Sequence, residues 1–268
     1  MKVTIHIWDL PHRLFHWLLA ASVTGAYVTA KIGGELIDWH GRLGVFILGL
    51  LVFRIVWGFI GSTHSRFVTF FPSLPRIAAY LKGQWQGIGH NPLGALSVIA
   101  LLATLALQVG TGLFANDDIA FEGPFFDFID KDLSDKLTGW HNTAFNVLLS
   151  LVVLHLVAIV YYRWAKKTNL VKPMLTGKKE IPVTLAEAII TDHHIKAGVV
   201  RFALSLIISS TVAWGASGGI TQFPIARVTS PCCSFAWAAV DVVQSNGLLS
   251  DSQQQTAQVA PAQAPANF

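Results

Sequence analysis

Residues 140–162, WHNTAFNVLLSLVVLHLVAIVYY, run with no charged side chain and carry histidine at 141 and again at 155. A helix rising about 1.5 Å per residue crosses about 30 Å of hydrocarbon in roughly 20 residues, so this run is long enough to span a membrane. An imidazole at membrane depth is costly and usually faces a site rather than lipid. At about 100° per residue, His141 and His155 fall about 40° from eclipsed and about 21 Å apart along the axis. One helix thus offers two ligands to one side, each near a different membrane face.

Four more apolar runs lie outward from it, at about 14–30, 41–60, 93–114 and 199–218. Composition agrees: 53% of the 268 residues are hydrophobic and only 13% charged, against about a quarter charged in soluble domains. A water-soluble globule is excluded, and the expected fold is an all-α integral membrane protein. The net charge of +4 is too small to argue for nucleic acid, and the basic residues sit in short clusters between apolar runs. The two cysteines, Cys232 and Cys233, are adjacent, which rules out a CxxC zinc site and a CxxCH haem attachment.

Charge also orients the chain. The connector 61–85 holds Arg66, Arg76 and Lys82 without an acid, and 163–179 holds six basic residues without an acid; both are expected in the cytoplasm. Segment 115–139 carries seven acids against two lysines and belongs outside. The N-terminus is then cytoplasmic, and five spans leave 219–268 as a periplasmic tail. Residues 1–30 offer only a weak cleavage site at Val28-Thr29-Ala30 and are read as a retained span. Thr184-Leu185-Ala186-Glu187 has capping-box form and suggests a short interfacial helix within a cytoplasmic linker, 176–198.

Sorting the intramembrane histidines by depth gives two pairs, His16 with His155 on the inner side and His40 with His141 on the outer. Two strong axial nitrogens from facing helices are what a haem b needs, and electron transfer is then the available chemistry. Zinc fits less well, because two pairs about 21 Å apart share no tetrahedron. Gly41 and Gly44 follow His40 and remove side chains where a macrocycle would approach, although helix packing also uses small residues. Arg54, 14 residues after His40, should lie at the inner depth and seek an anion such as a haem propionate. Arg42 and Arg13 are weaker candidates for that role, and snorkelling competes with it. Trp17 and Trp140 adjoin ligand histidines, with the aromatic belt as first explanation and haem packing as second. His6, His12, His64, His90, His193 and His194 are expected to be solvated or at headgroups, though His90 could border a quinone pocket.

The motifs His16-Trp17, His40 with Gly44, Arg54 and Trp57, Gly89-His90-Asn91-Pro92-Leu93-Gly94, and Trp140-His141 with His155 resemble the prokaryotic cytochrome b561 family and the related b-type subunits of nickel–iron hydrogenases. The resemblance covers about 5–175. It implies a di-haem four-helix transmembrane bundle, 1–175, exchanging electrons with the quinone pool in a bacterial inner membrane. In such proteins spans one and four supply one ligand pair and spans two and four the other. The fifth transmembrane helix, 199–218, and the tail depart from the family and suggest docking to a larger membrane complex.

The leading expectation is an electron conduit with two haem b groups and no catalytic side chain of its own, linking quinone to a periplasmic redox partner. The acidic 115–139 loop favours a basic protein such as a c-type cytochrome. The alternatives are superoxide:quinone oxidoreduction, a hydrogenase-type b subunit, and a haem-stabilised structural subunit. A transporter fits least, because the histidines have no acidic companion within the spans.

Overall fold

The computed structural model describes residues 2–182, except 86, 88 and 120, and residues 198–219. The chain divides into two compact units, 1–223 and 224–268. The second unit, and with it Cys232-Cys233 and most of the tail, lies outside the described residues, as do the interfacial helix expected from Thr184 and the pair His193-His194.

The first unit is helical. Helix α1 spans Leu10–Ile32, α2 Ile37–Ile60, α3 Phe67–Phe70, α4 Leu74–Leu81, α5 Pro92–Gly112, α6 Lys131–Trp164, α7 Val171–Thr176 and α8 Val199–Trp214. Strand β1, Lys2–His6, pairs antiparallel with β2, Lys178–Pro182, in the register Thr4 to Glu180. Helix starts follow capping chemistry. Asp9, Asn91 and Asp130 accept from the backbone amides of His12, Gly94 and Leu133 at 2.8, 2.6 and 2.9 Å, satisfying donors that the first turn leaves without partners. Helix α1 stops at Gly33, whose φ of 69° suits a residue without a side chain.

Among the described residues, four helical stretches are long and apolar enough to cross a membrane: Gly34–Ile60, Pro92–Gly112, Lys131–Trp164 and Val199–Gly218. Helix α1 has the length, at 23 residues, but His12, Arg13, His16 and Lys31 dilute its apolar character and leave it outside that set. The expected 141–162 span is part of a longer element, since α6 begins at Lys131 and runs 34 residues. At about 1.5 Å per residue it measures about 51 Å. It is thus longer than the hydrocarbon is thick, and its first turns take up part of the expected acidic loop.

Helices α1 and α2 pack on each other, as do α5 and α6; α5 also meets α2, and α8 lies along α2. No comparable packing joins α6 to α1 or α2 among the described residues. One core cluster joins Ala26, Ile47, Leu51, Leu105, Val109 and Leu148, and a second, of Phe15, Phe53 and Trp57, lies toward the start of α1 and the end of α2. Much of α6 remains exposed, with Val153, Leu156, Val157 and Val160 at the surface, as lipid-facing residues should be.

Candidate functional site

The outer pair comes together from α2 and α6. The His40 and His141 ring centroids are 6.0 Å apart with planes at 85°. An iron bound at about 2 Å to one nitrogen of each ring, each nitrogen about 1 Å from its ring centre, requires a separation of about 6 Å. Both Nδ1 atoms are already used. That of His40 lies 2.8 Å from the Ala26 carbonyl of α1, and that of His141 lies 2.8 Å from the Gln108 carbonyl of α5. A carbonyl only accepts, so each Nδ1 carries the proton and donates it, which leaves Nε2 as the lone-pair donor of each ring. Nε2 of His141 faces the Gln108 side-chain amide at 2.9 Å, so that amide must turn aside for ligation.

The inner pair is looser. His16 on α1 and His155 on α6 are near enough for their charges to interact, and Nδ1 of His16 is shut from solvent without a partner. Among the described residues no three of His, Cys, Asp or Glu gather where they could hold one ion. A metal held by two imidazoles must bring its remaining donors with it, as haem iron does. The residues present fit that group. Paired rather than clustered imidazoles, and Nε2 atoms of His40 and His141 left as the lone-pair donors, both accord with it.

Other expected site residues are placed as follows. Arg54 is 1% exposed. Its Nη1 donates to the Ser65 carbonyl at 3.0 Å, its guanidinium lies 4.6 Å from the Phe67 ring centre, and its Nη2 is buried without a partner. The nearby Asp9 carboxylate accepts instead from Trp57 Nε1 at 3.1 Å and from the Ser65 hydroxyl at 3.3 Å. Arg13 donates Nη1 to the Leu175 carbonyl, and Trp17 donates Nε1 to the Met174 carbonyl at 3.4 Å, so both reach the end of α7. Arg42 stacks over Trp39 at 5.1 Å, and Trp140 is 62% exposed, as a belt residue would be. A side chain at Gly41 would strike Phe121 at 2.9 Å, whereas one at Gly44 would meet nothing within 4 Å. Gly41 thus makes room for the outer loop, and Gly44 faces open space.

Of the histidines expected at the solvated edge, His12 is buried and His90 half-buried with its Nδ1 shut from solvent. His12 is 5% exposed and stacks on Trp8 at 5.0 Å. His90 lies 4.6 Å from Trp8 and 4.8 Å from Phe70, ring centre to ring centre. Burial first, then the Arg54 guanidinium, hold the His90 imidazole down at about 3. The signal for His12 is present in the sequence: it precedes His16 by four residues, one turn along the same helix face. For His90 no local signal exists, because its burial depends on Trp8 and Phe70 from distant segments.

Membrane-crossing helices that present imidazoles in pairs, with no polydentate metal cluster among the described residues, define the class of membrane-bound b-type cytochromes. The family model described as prokaryotic cytochrome b561 matches residues 7–177. The chain belongs to that family, and so is a multi-pass membrane cytochrome of the haem b kind. It is similar to the probable Ni/Fe-hydrogenase B-type cytochrome subunit of Bradyrhizobium diazoefficiens, 22% identical over 67% of this chain and 87% of that one. The subunit of the same name from Azotobacter vinelandii is 24% identical over 66% and 88%. The probable Ni/Fe-hydrogenase 1 B-type cytochrome subunit of Escherichia coli K12 is 21% identical over 65% and 90%. No solved structure matches the chain significantly.

Proposed function

We propose that the chain carries single electrons across the membrane between quinone on the cytoplasmic side and a redox protein on the outer side, through two haems b. His16 and His155 would hold the inner haem, His40 and His141 the outer. The observation that carries the reading is the outer pair, whose 6.0 Å ring separation and tied Nδ1 atoms suit axial ligation from both faces of one macrocycle. When bound, haem supplies reversible one-electron chemistry; the side chains orient it and exclude water. In this reading 1–175 forms the bundle with α1 as its first span, 176–198 the linker, α8 a fifth span and 219–268 an outer tail. The membrane is the bacterial inner membrane, entered with the N-terminus inside, as the basic connectors 61–85 and 163–179 favour.

The names of the relatives favour a hydrogenase-type complex as the outer partner, joined in the membrane. The charge of segment 115–139 favours a second reading, a soluble basic carrier such as a c-type cytochrome, although Lys131 already pairs with Asp118 and Asp135 there. A pyridine haemochrome spectrum of the detergent-purified chain tests the core of the proposal. Two haems b per chain are expected, and a chain without haem would overturn it.

A further inference from the structure

The cytoplasmic end of the bundle concentrates polar atoms that are buried without a partner. They include Nδ1 of His12, Nδ1 of His90 and Nη2 of Arg54. An enclosed donor that bonds to nothing is costly, and natural folds rarely keep one without a ligand or water to meet it. Here three belong to one neighbourhood. The His12 and His90 rings are 6.5 Å apart, Trp8 packs on both, and Phe70 touches His90 and lies 5.9 Å from the Arg54 guanidinium. Arg54 itself is 1% exposed and His12 5%.

The donor set indicates what the neighbourhood lacks. Arg54 is a cation that can only donate, and it forms no hydrogen-bonded ion pair: both oxygens of the nearest acid, Asp9, accept from His12 N, Trp57 and Ser65. A neutral imidazole can donate through Nδ1. One guanidinium and two imidazoles with open Nδ1 positions suit a carboxylate, which accepts from several donors at once. The neighbourhood also adjoins the inner pair. His12 stands one helical turn before His16, and the charges of His16 and His155 both reach His90. The proposed function already brings one anion to this depth, the carboxylate edge of the inner macrocycle.

We propose that His12, His90 and Arg54 form a cradle for a propionate of the inner haem, walled by Trp8 and Phe70, and that this cradle makes the inner site select a macrocycle with free carboxylates. The inference rests on the inner haem of the proposed function. It goes further in giving two histidines outside the ligand set a ligand of their own.

The test is a competition. The full chain carrying His141→Ala, which keeps only the inner site, is made by cell-free synthesis in lipid nanodiscs with equimolar haem b and haem b dimethyl ester. The macrocycles are then extracted and quantified. A charge-assisted hydrogen bond is worth enough to favour the free acid about tenfold. His90→Phe, which keeps an aromatic ring between Trp8 and Phe70, should bring the ratio close to one, and Arg54→Gln should do the same if it folds. Equal uptake of acid and ester by the His141→Ala chain overturns the cradle alone. An unchanged ratio in His90→Phe overturns the part given to His90. A His141→Ala chain that takes up neither macrocycle overturns the inner haem itself and the cradle with it.

Discussion

One proposed ligand on each of α1 and α2, His16 and His40, and two on α6, His141 and His155, make the ligand assignment separable by mutation. His155→Ala should remove the inner haem and His141→Ala the outer, each leaving one haem per chain by pyridine haemochrome. Either should stop transmembrane electron flow, because the two sites act in series; retention of both haems in either variant would refute the pairing. His90 gives a second prediction at this scale. Its imidazole is held at about 3, against 6.5 for the unperturbed group, so between those values the unfolded chain binds a proton that the folded chain refuses. The associated stability is present above about pH 6.5 and is lost as the pH falls toward 3. The thermal midpoint of the haem-free chain in detergent should drop on acidification from pH 7 to 4, and His90→Phe should flatten that drop; an equal drop in the variant would assign it to other groups. The sequence singles out His16, His40, His141 and His155 by the cost of an imidazole inside an apolar run, and the structure brings His40 and His141 together; their ligand role belongs to the proposed function. The packing around His90 was not legible. It depends on Trp8 and Phe70 meeting it from other segments, which no local pattern encodes.

Caps and small residues govern the elements. Asp9 closes the first turn of α1 and accepts from Trp57 and Ser65 on the next element and connector. Asp9→Ala therefore loses a cap and strands the buried Trp57 Nε1, whereas Ser65 keeps the Ser62 hydroxyl; the combined cost is about 2–4 kcal/mol against about 1 kcal/mol for Asp130→Ala, which removes a cap alone, and chemical denaturation of the two variants checks the order. Helix α8 sits on α2 through Ser205, Ser209 and Ala213, and a side chain at Gly49 would come within 3.2 Å of Ala213. Gly49→Leu should displace α8 while haem content holds, read by cysteine crosslinking between the two helices. Apolar length located these helices well. It missed the start of α6 because the acidic residues after Asp130 read as loop, whereas the Asp130 cap and the charged early turns form helix. It also credited α1 with more apolar character than its His and Arg residues allow.

The whole molecule combines a family bundle with an appended helix and tail. Truncation after Pro182 should leave the haem spectrum intact and abolish co-purification with a larger complex; unchanged co-purification would remove the docking role of the appended part. If the outer partner is a soluble basic protein, its rate of electron exchange should fall with ionic strength, since encounter steered by an exposed acidic surface is screened by salt. A rate indifferent to salt favours a partner held permanently in the membrane. The helical membrane fold was legible as a whole because long apolar runs mark its spanning helices before any packing is known. The β1–β2 ribbon was not, since five-residue strands at either end of a long helical chain leave only a faint alternating pattern.

That ribbon sets an order of events during synthesis. Residues 2–6 cannot pair until residues 178–182 have left the ribosome, and at about 5–20 residues per second the first strand waits roughly 10–35 s for its partner. Throughout that interval α1 is free of the ties that later join it to the chain beyond α6, including those from Arg13 and Trp17 to the end of α7. The start of α1, with His16, is therefore fastened only after α6 has been made, and a macrocycle bound there during that interval would be enclosed by ties that form behind it.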